Sequence, residues 1–227
     1  MSRNKYTFVV EHLDPELGPW SALEYKTIAQ ESRQAGCHFI LSSLPQSLLD
    51  SRDLKDLVTL GAGARSESIE AYFSSKKDKI CLLDPAAKQE LHPTDAAEFD
   101  VFLFGGILGD DPPRVLDRTS ELRKKGFSGR RLGPVQMTTD TAIRVTRMVV
   151  LDQISLDKIP YVDFPELKVD EHEFTEMPFR YVKDSYGEPV MPEGMVELIK
   201  ADADKAFDDL EFVDEVDGID QLVVGEH

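Results

Sequence analysis

The chain has 227 residues, 41% hydrophobic and 30% charged, enough to bury the core of one domain and far from the composition of a disordered segment. With 43 Asp and Glu against 26 Lys and Arg, its formal net charge is −17. That balance argues against a protein that coats nucleic acid, whose affinity comes from Lys and Arg neutralising phosphate, and it suits a basic partner. Two cysteines, Cys37 and Cys81, are too few for a disulfide framework and form no C-x-x-C pair. No secretory core follows the N-terminus, and the longest apolar stretch, Val101–Leu108, is broken by Gly105-Gly106 and too short to span a bilayer. A cytoplasmic, reduced protein without a membrane segment is the expectation.

Strand-like and helix-like segments alternate along the first half. Tyr6–Val10 reads as a strand, and Trp20–Ala35 as a helix stopped by Gly36. His38–Leu41 reads as a second strand and Leu48–Leu60 as a second helix ended by Gly61. Ile80–Leu83 and Val101–Phe104 are short, continuously apolar runs, the mark of strands covered on both faces. This alternation predicts an α/β fold, a mainly parallel sheet flanked by helices.

From Gly105 to Gly133 the chain is punctuated by glycines at 105, 106, 109, 126, 129 and 133 and by Pro112-Pro113, with room for a short helix near Ser120–Lys125. Thr138-Thr139-Asp140 then starts a helix that is apolar round most of its circumference through Leu151, so it should be central. Tyr161–Phe164 and Met177–Val182 read as short strands, and Pro192–Leu210 as a last helix. Residues 202–220 carry nine acids against one lysine, so a single domain over 1–210 with an acidic tail at 211–227 is expected.

Ligands of open parallel sheets bind beyond the carboxyl ends of strands. Three such ends carry loop chemistry here: Leu82-Leu83-Asp84-Pro85, Gly105–Asp110 and Arg131–Thr138. Glycines in the second and third let the main chain approach a ligand without obstruction. The phosphate-cradling G-x-x-x-x-G-K-[ST] and the dinucleotide fingerprint are both absent. His12, His38, His92, His172 and His227 show no metal-ligand spacing, so no metal is expected. Among the carboxylates, Glu11, Asp110 and Glu176 are candidates for function, whereas Asp140 reads as a helix-capping acid. Arg130-Arg131 are expected to pair with such acids.

Two long motifs carry a family likeness. Phe-Leu-Phe-Gly-Gly-Ile-Leu-Gly-Asp-Asp-Pro-Pro-Arg (102–114) and Arg-Arg-Leu-Gly-Pro-Val-Gln-Met-Thr-Thr-Asp-Thr-Ala-Ile-Arg (130–144) resemble the SPOUT-class methyltransferases. More narrowly, they are similar to the small eukaryotic branch that methylates an arginine of a ribosomal protein. Val-Glu-His (10–12), Trp20 with Leu-Glu-Tyr (23–25), Leu-Ser-Ser-Leu-Pro (41–45), Cys-Leu-Leu-Asp-Pro (81–85), Thr-Glu-Met-Pro-Phe-Arg-Tyr-Val (175–182) and Met-Pro-Glu-Gly-Met (191–195) extend the likeness over residues 5–210, apart from Leu60–Lys79.

The resemblance implies a deep trefoil knot in the C-terminal part, an exception to the rule that chains do not thread loops. It implies S-adenosylmethionine as cofactor, held by Leu83, Asp84 and Pro85, by Gly105, Gly106, Ile107 and Gly109, and by Leu132, Gly133, Gln136, Met137, Thr138 and Thr139. It also implies a monomer acting on a basic small-subunit ribosomal protein. A guanidinium has a pKa above about 12, so the site must hold a cation while one nitrogen turns toward the methyl group. Glu11, Asp110 and Glu176 are the residues expected to line that acidic mouth. The alternative activity is methylation of tRNA or rRNA, disfavoured by slight basic clusters (Lys76-Lys77-Lys79, Arg123–Lys125). A third reading is a non-catalytic binding protein that kept the fold.

Overall fold

The computed structural model describes residues 6–106, 119–168 and 174–202. β1 (Thr7–Glu11) leads into α1 (Pro19–Gln34), then β2 (His38–Ser42). The helix expected over Leu48–Leu60 is two helices, α2 (Gln46–Leu49) and α3 (Arg52–Leu60). The break falls at Ser51, which leaves helical geometry to accept the Leu54 N–H as an N-cap, and Gly61 ends α3 at φ 113°. The next stretch holds β3 (Ala62–Ala64), α4 (Ile69–Tyr72) and a 3-10 segment, Ser74–Lys79. β4 (Ile80–Leu83) and β5 (Val101–Gly105) follow, with a 3-10 turn at Pro93–Ala97 between them.

After residue 118 come α5 (Thr119–Lys124), β6 (Ser128–Arg130) and α6 (Thr139–Val150). Two small antiparallel ribbons follow: β7 (Tyr161–Asp163) with β10 (Arg180–Val182), and β8 (Glu166–Lys168) with β9 (Phe174–Glu176). The strand expected over Met177–Val182 is thus shorter, because Pro178 cannot join a ladder, and the last helix starts at residue 195 rather than at Pro192. β3 and β6 escape sequence reading. Each is three residues long, and a glycine-centred sequence has no apolar run to detect.

The main sheet has six strands in the order β3-β2-β1-β5-β4-β6, with every pairing parallel. Alternate residues feed different cores, which is why the central strands read as unbroken apolar runs. Phe8, Val10, Cys81, Leu83, Phe102 and Phe104 join α1, α3 and α6 in the larger cluster. Val9, Ile80, Leu82, Val101 and Leu103 join Ile69 of α4 and Leu122 of α5 on the opposite face. A third cluster packs Trp20 and Leu23 of α1 against Met177, Tyr181, Met195 and Ile199, fastening the C-terminal ribbons to the sheet domain. Strand order reverses direction at the β1–β5 junction, so the carboxyl ends of those strands border the switch-point crevice. The connection from β5 to α5, on which any threading of the chain depends, includes residues 107–118, outside the described residues. The acidic tail also lies outside them. No helix among the described residues is long and apolar enough to cross a membrane.

Candidate active site

Glu11 ends β1, level with Gly105 of β5 and Ser42 of β2. It is 1% exposed and surrounded by donors. Ser43 Oγ donates to Oε1 at 2.7 Å, Ser42 Oγ to Oε2 at 2.7 Å, and the Ile69 N–H to Oε2 at 3.1 Å, while Lys125 Nζ stands 3.7 Å from Oε1. Ser43 holds this position at φ 59°, a left-handed conformation costly for a residue with a side chain. The sequence placed Glu11 at the mouth of the site. Its oxygens are instead spent on the chain's own donors, and it ties β1, β2 and α4 together.

Gly106 follows immediately. A Cβ there would come within 3.3 Å of the Glu11 carbonyl oxygen, Tyr25 Oη and Val10, a tight approach that these neighbours would have to yield to. At Gly105 the crowding atom is Thr119 Oγ1, also 3.3 Å away. Ile107, Gly109 and Asp110 lie outside the described residues. Beside Gly106, buried His12 contacts Tyr25 Oη through Nδ1 at 3.1 Å and the Glu16 carbonyl through Nε2 at 3.2 Å.

At the end of β4, Leu83 belongs to the larger core, Asp84 is buried and Pro85 is exposed. Asp84 accepts from Arg123 Nε at 2.5 Å and Nη2 at 2.6 Å, and from the Ala86 N–H at 2.9 Å. Burial pushes its pKa up, but the Arg123 fork and that N–H outweigh burial and hold it below the ordinary value. A cleft of about 480 Å³ opens here between Asp84, Lys88, Arg123, Phe127 and Arg130, on the α5 face of the sheet. Arg130 and Arg131 are paired, as their sequence suggested, though with other acids: Arg130 with Asp95 and Glu98, Arg131 with Glu90.

The third loop joins β6 to α6. Gly133 adopts φ 98°, where glycine alone is unstrained, and its Cβ position would sit 3.8 Å from Arg180 Nη1. Arg180 is fixed by Asp163 at 2.6 and 2.8 Å and stacks 4.5 Å above the Tyr161 ring. Its N–H donates to the Gln136 carbonyl at 2.8 Å, and Met137 bridges to Arg180, so the C-terminal ribbon lies along this loop. Among the described residues, the N–H and C=O groups of Leu132 and Gly133 enter none of the backbone bonds that fix their neighbours, which leaves them available to a ligand. Met137 packs against the larger core, and Thr138 and Thr139 are buried.

Asp140 is not the cap expected of it. Thr138 is the N-cap residue of α6, and Asp140 sits within the first turn, 2% exposed, with Oδ2 3.2 Å from Arg144 Nη1. Arg144 also binds Glu31 at 2.7 Å and the Val190 carbonyl at 3.4 Å. Glu24 of α1 completes the cluster. Burial first, and then Asp140 beside it, hold its carboxyl well above the usual range, against lowering contacts from the Thr139 hydroxyl and N–H. Glu24 and Arg144 stand out in the sequence only as parts of motifs; an ion-pair partner 113 residues away, Glu31 for Arg144, leaves no local signal. Glu176 is exposed on β9, directly opposite Glu166 of β8. No group of metal-ligating side chains forms among the described residues.

Comparison with known proteins places this geometry. Residues 7–206 match the family described as protein arginine N-methyltransferase SFM1-like. Protein arginine N-methyltransferase SFM1 of Saccharomyces cerevisiae is 43% identical over 213 residues, covering 89% of this chain and 98% of the yeast protein. The crystal structure of yeast SFM1 complexed with SAM superposes with a TM-score of 0.77 at 43% identity, over 87% of this chain and 91% of that one. At 15% identity, spTrm10 in complex with SAH shares the fold alone, with a TM-score of 0.54 over 68% of this chain and 92% of the other.

Proposed function

The chain belongs to the SFM1-like family of protein arginine N-methyltransferases, and from that premise we propose that it transfers a methyl group from S-adenosylmethionine to an arginine of a small-subunit ribosomal protein. The observation that carries this reading is the match to yeast SFM1, which runs through all three loops at the carboxyl edge of the sheet. The residues there suit the cofactor. Leu83–Pro85, Gly105-Gly106 and Leu132–Thr139 supply main-chain donors and acceptors, apolar side chains and glycine clearance, which fit an uncharged adenosine and an amino-acid tail better than a phosphate. S-adenosylmethionine supplies, when bound, a sulfonium methyl group open to in-line displacement.

The protein's own task is to hold the acceptor nitrogen in line and tolerate a second cation nearby. Glu176, exposed on β9, and Asp110 are assigned to the acceptor side, where a carboxylate can take the guanidinium fork. Glu11 is assigned to the floor beneath it, because its oxygens already serve Ser42, Ser43 and Ile69. The net charge of −17 favours encounter with a basic polypeptide over RNA.

The test is incubation with methyl-labelled S-adenosylmethionine and a ribosomal fraction. Label that survives nuclease, disappears with protease and is recovered as methylarginine is the expected outcome. Label confined to RNA would replace this reading with the tRNA or rRNA activity.

A further inference from the structure

The β7–β10 ribbon sets three side chains on one face. Arg180 stands directly opposite Asp163, and Tyr161, two residues before Asp163, shares that face. The Arg180 fork closes on Asp163 at 2.6 and 2.8 Å, with its central carbon 4.5 Å from the centre of the Tyr161 ring. A bidentate pair and an aromatic floor together leave a guanidinium little freedom to turn. The same residue meets the third loop twice. Its Nη1 stands 3.8 Å from the point where a Cβ on Gly133 would sit, at the bend that φ 98° makes there. Its N–H donates to the Gln136 carbonyl at 2.8 Å, and its main chain bridges to Met137 as a parallel partner. One residue thus flanks the loop with its side chain at the bend and holds it with its main chain at the exit. The Arg180 side chain is 18% and that of Asp163 38% exposed, so the pair sits at the rim and the core does not depend on it.

We propose that Arg180, oriented by Asp163 and Tyr161, is a positioning residue that keeps the Gly133–Gln136 segment in the shape the cofactor binds, without itself touching the cofactor or the acceptor arginine. The inference rests on the reading of that segment as part of the cofactor site. Main-chain groups serve a ligand best when the loop is already bent before the ligand arrives. A loop released from Arg180 has to be ordered on binding, and that ordering is subtracted from affinity. The loss falls equally on bound cofactor and transition state, so it raises KM for S-adenosylmethionine and leaves kcat.

Titration calorimetry with S-adenosylhomocysteine reads the loop, and turnover at saturating S-adenosylmethionine, with a ribosomal fraction as acceptor, reads the chemistry. Arg180→Met should weaken binding by about tenfold and Asp163→Asn by about fivefold, with kcat within about twofold of wild type in both. Adding Asp163→Asn to Arg180→Met should change affinity by no more than about twofold further, because the two side chains act as one unit. The urea midpoint of Asp163→Asn should stay near that of wild type, which separates a misplaced loop from a weakened fold. If Arg180→Met does not fold, Asp163→Asn carries the test by itself. Wild-type affinity in either variant, losses that add in the double variant, or a fall in kcat at unchanged affinity overturns the positioning role and leaves the cofactor reading intact. A wild-type protein that binds no S-adenosylhomocysteine overturns both.

Discussion

Two buried carboxylate clusters, one around Glu11 and one around Asp140, solve the same electrostatic problem differently. Glu11 and Asp140 are equally hidden, 1% and 2% exposed. Around Glu11 the chain aims two hydroxyls and an N–H at the carboxylate and adds Lys125 nearby. Around Asp140 a single guanidinium serves two carboxylates, the Glu24 carboxyl enters no ion pair among the described residues, and Asp140 Oδ1 has no hydrogen-bond partner among them. Burial alone therefore says little about an acid's role. The supply of donors separates a strut from a group whose proton can come and go.

The largest effect expected from this contrast is at Arg144. Arg144→Met leaves Asp140 and Glu31 without their cation and should cost about 3–5 kcal/mol, read from the urea midpoint. Midpoints matching wild type would mean that the pair is solvated and the contrast false. Glu11→Ala strands two serine hydroxyls and the Ile69 N–H, at about 3 kcal/mol in the same assay. A loss under about 1 kcal/mol would remove its assignment as a strut.

Gly106→Ala probes the close approach of the chain beside the Glu11 main chain and Tyr25. Its Cβ would press on the Glu11 carbonyl and Tyr25 Oη at 3.3 Å, a loss of about 1–2 kcal/mol with weakened S-adenosylhomocysteine binding. The pH dependence of folding sharpens the comparison further. A raised Glu24 pKa contributes stability that is full below about 4.3, the unfolded value, and lost as pH rises through the folded one. Urea midpoints should fall over that window in wild type and lose that component in Glu24→Gln. The smallest effect is at the rim, where Asp163 and Arg180 are partly exposed. Asp163→Asn should cost below about 1 kcal/mol and disappear in high salt.

Much of the fold could be read from sequence because its cause is local. An unbroken apolar run such as Ile80–Leu83 has both faces covered, and a helix closed by glycine at 36 or 61 announces its own end. The three ligand loops stand where strands end, and glycines at 105, 106 and 133 mark them. The side-chain assignments were less accessible. Val-Glu-His and Leu-Ser-Ser-Leu-Pro are visible as motifs, yet only the parallel register of β1 with β2 brings both serines onto Glu11. Asp140 resembles a cap from its place in the chain, and only the folded backbone, extended at Thr138 with φ −64° and ψ 160°, shows that Thr138 takes that position.

By itself, then, the amino-acid sequence determined the layered α/β architecture, the strand ends that carry the loops, and the family. Period and turn chemistry are short-range and survive in one dimension. The tertiary structure decided which acids are braced and which are under-compensated. A buried charge is set by donors tens of residues away, such as Ser42 and Ile69 for Glu11 or Glu31 for Arg144, and no local spacing encodes their approach.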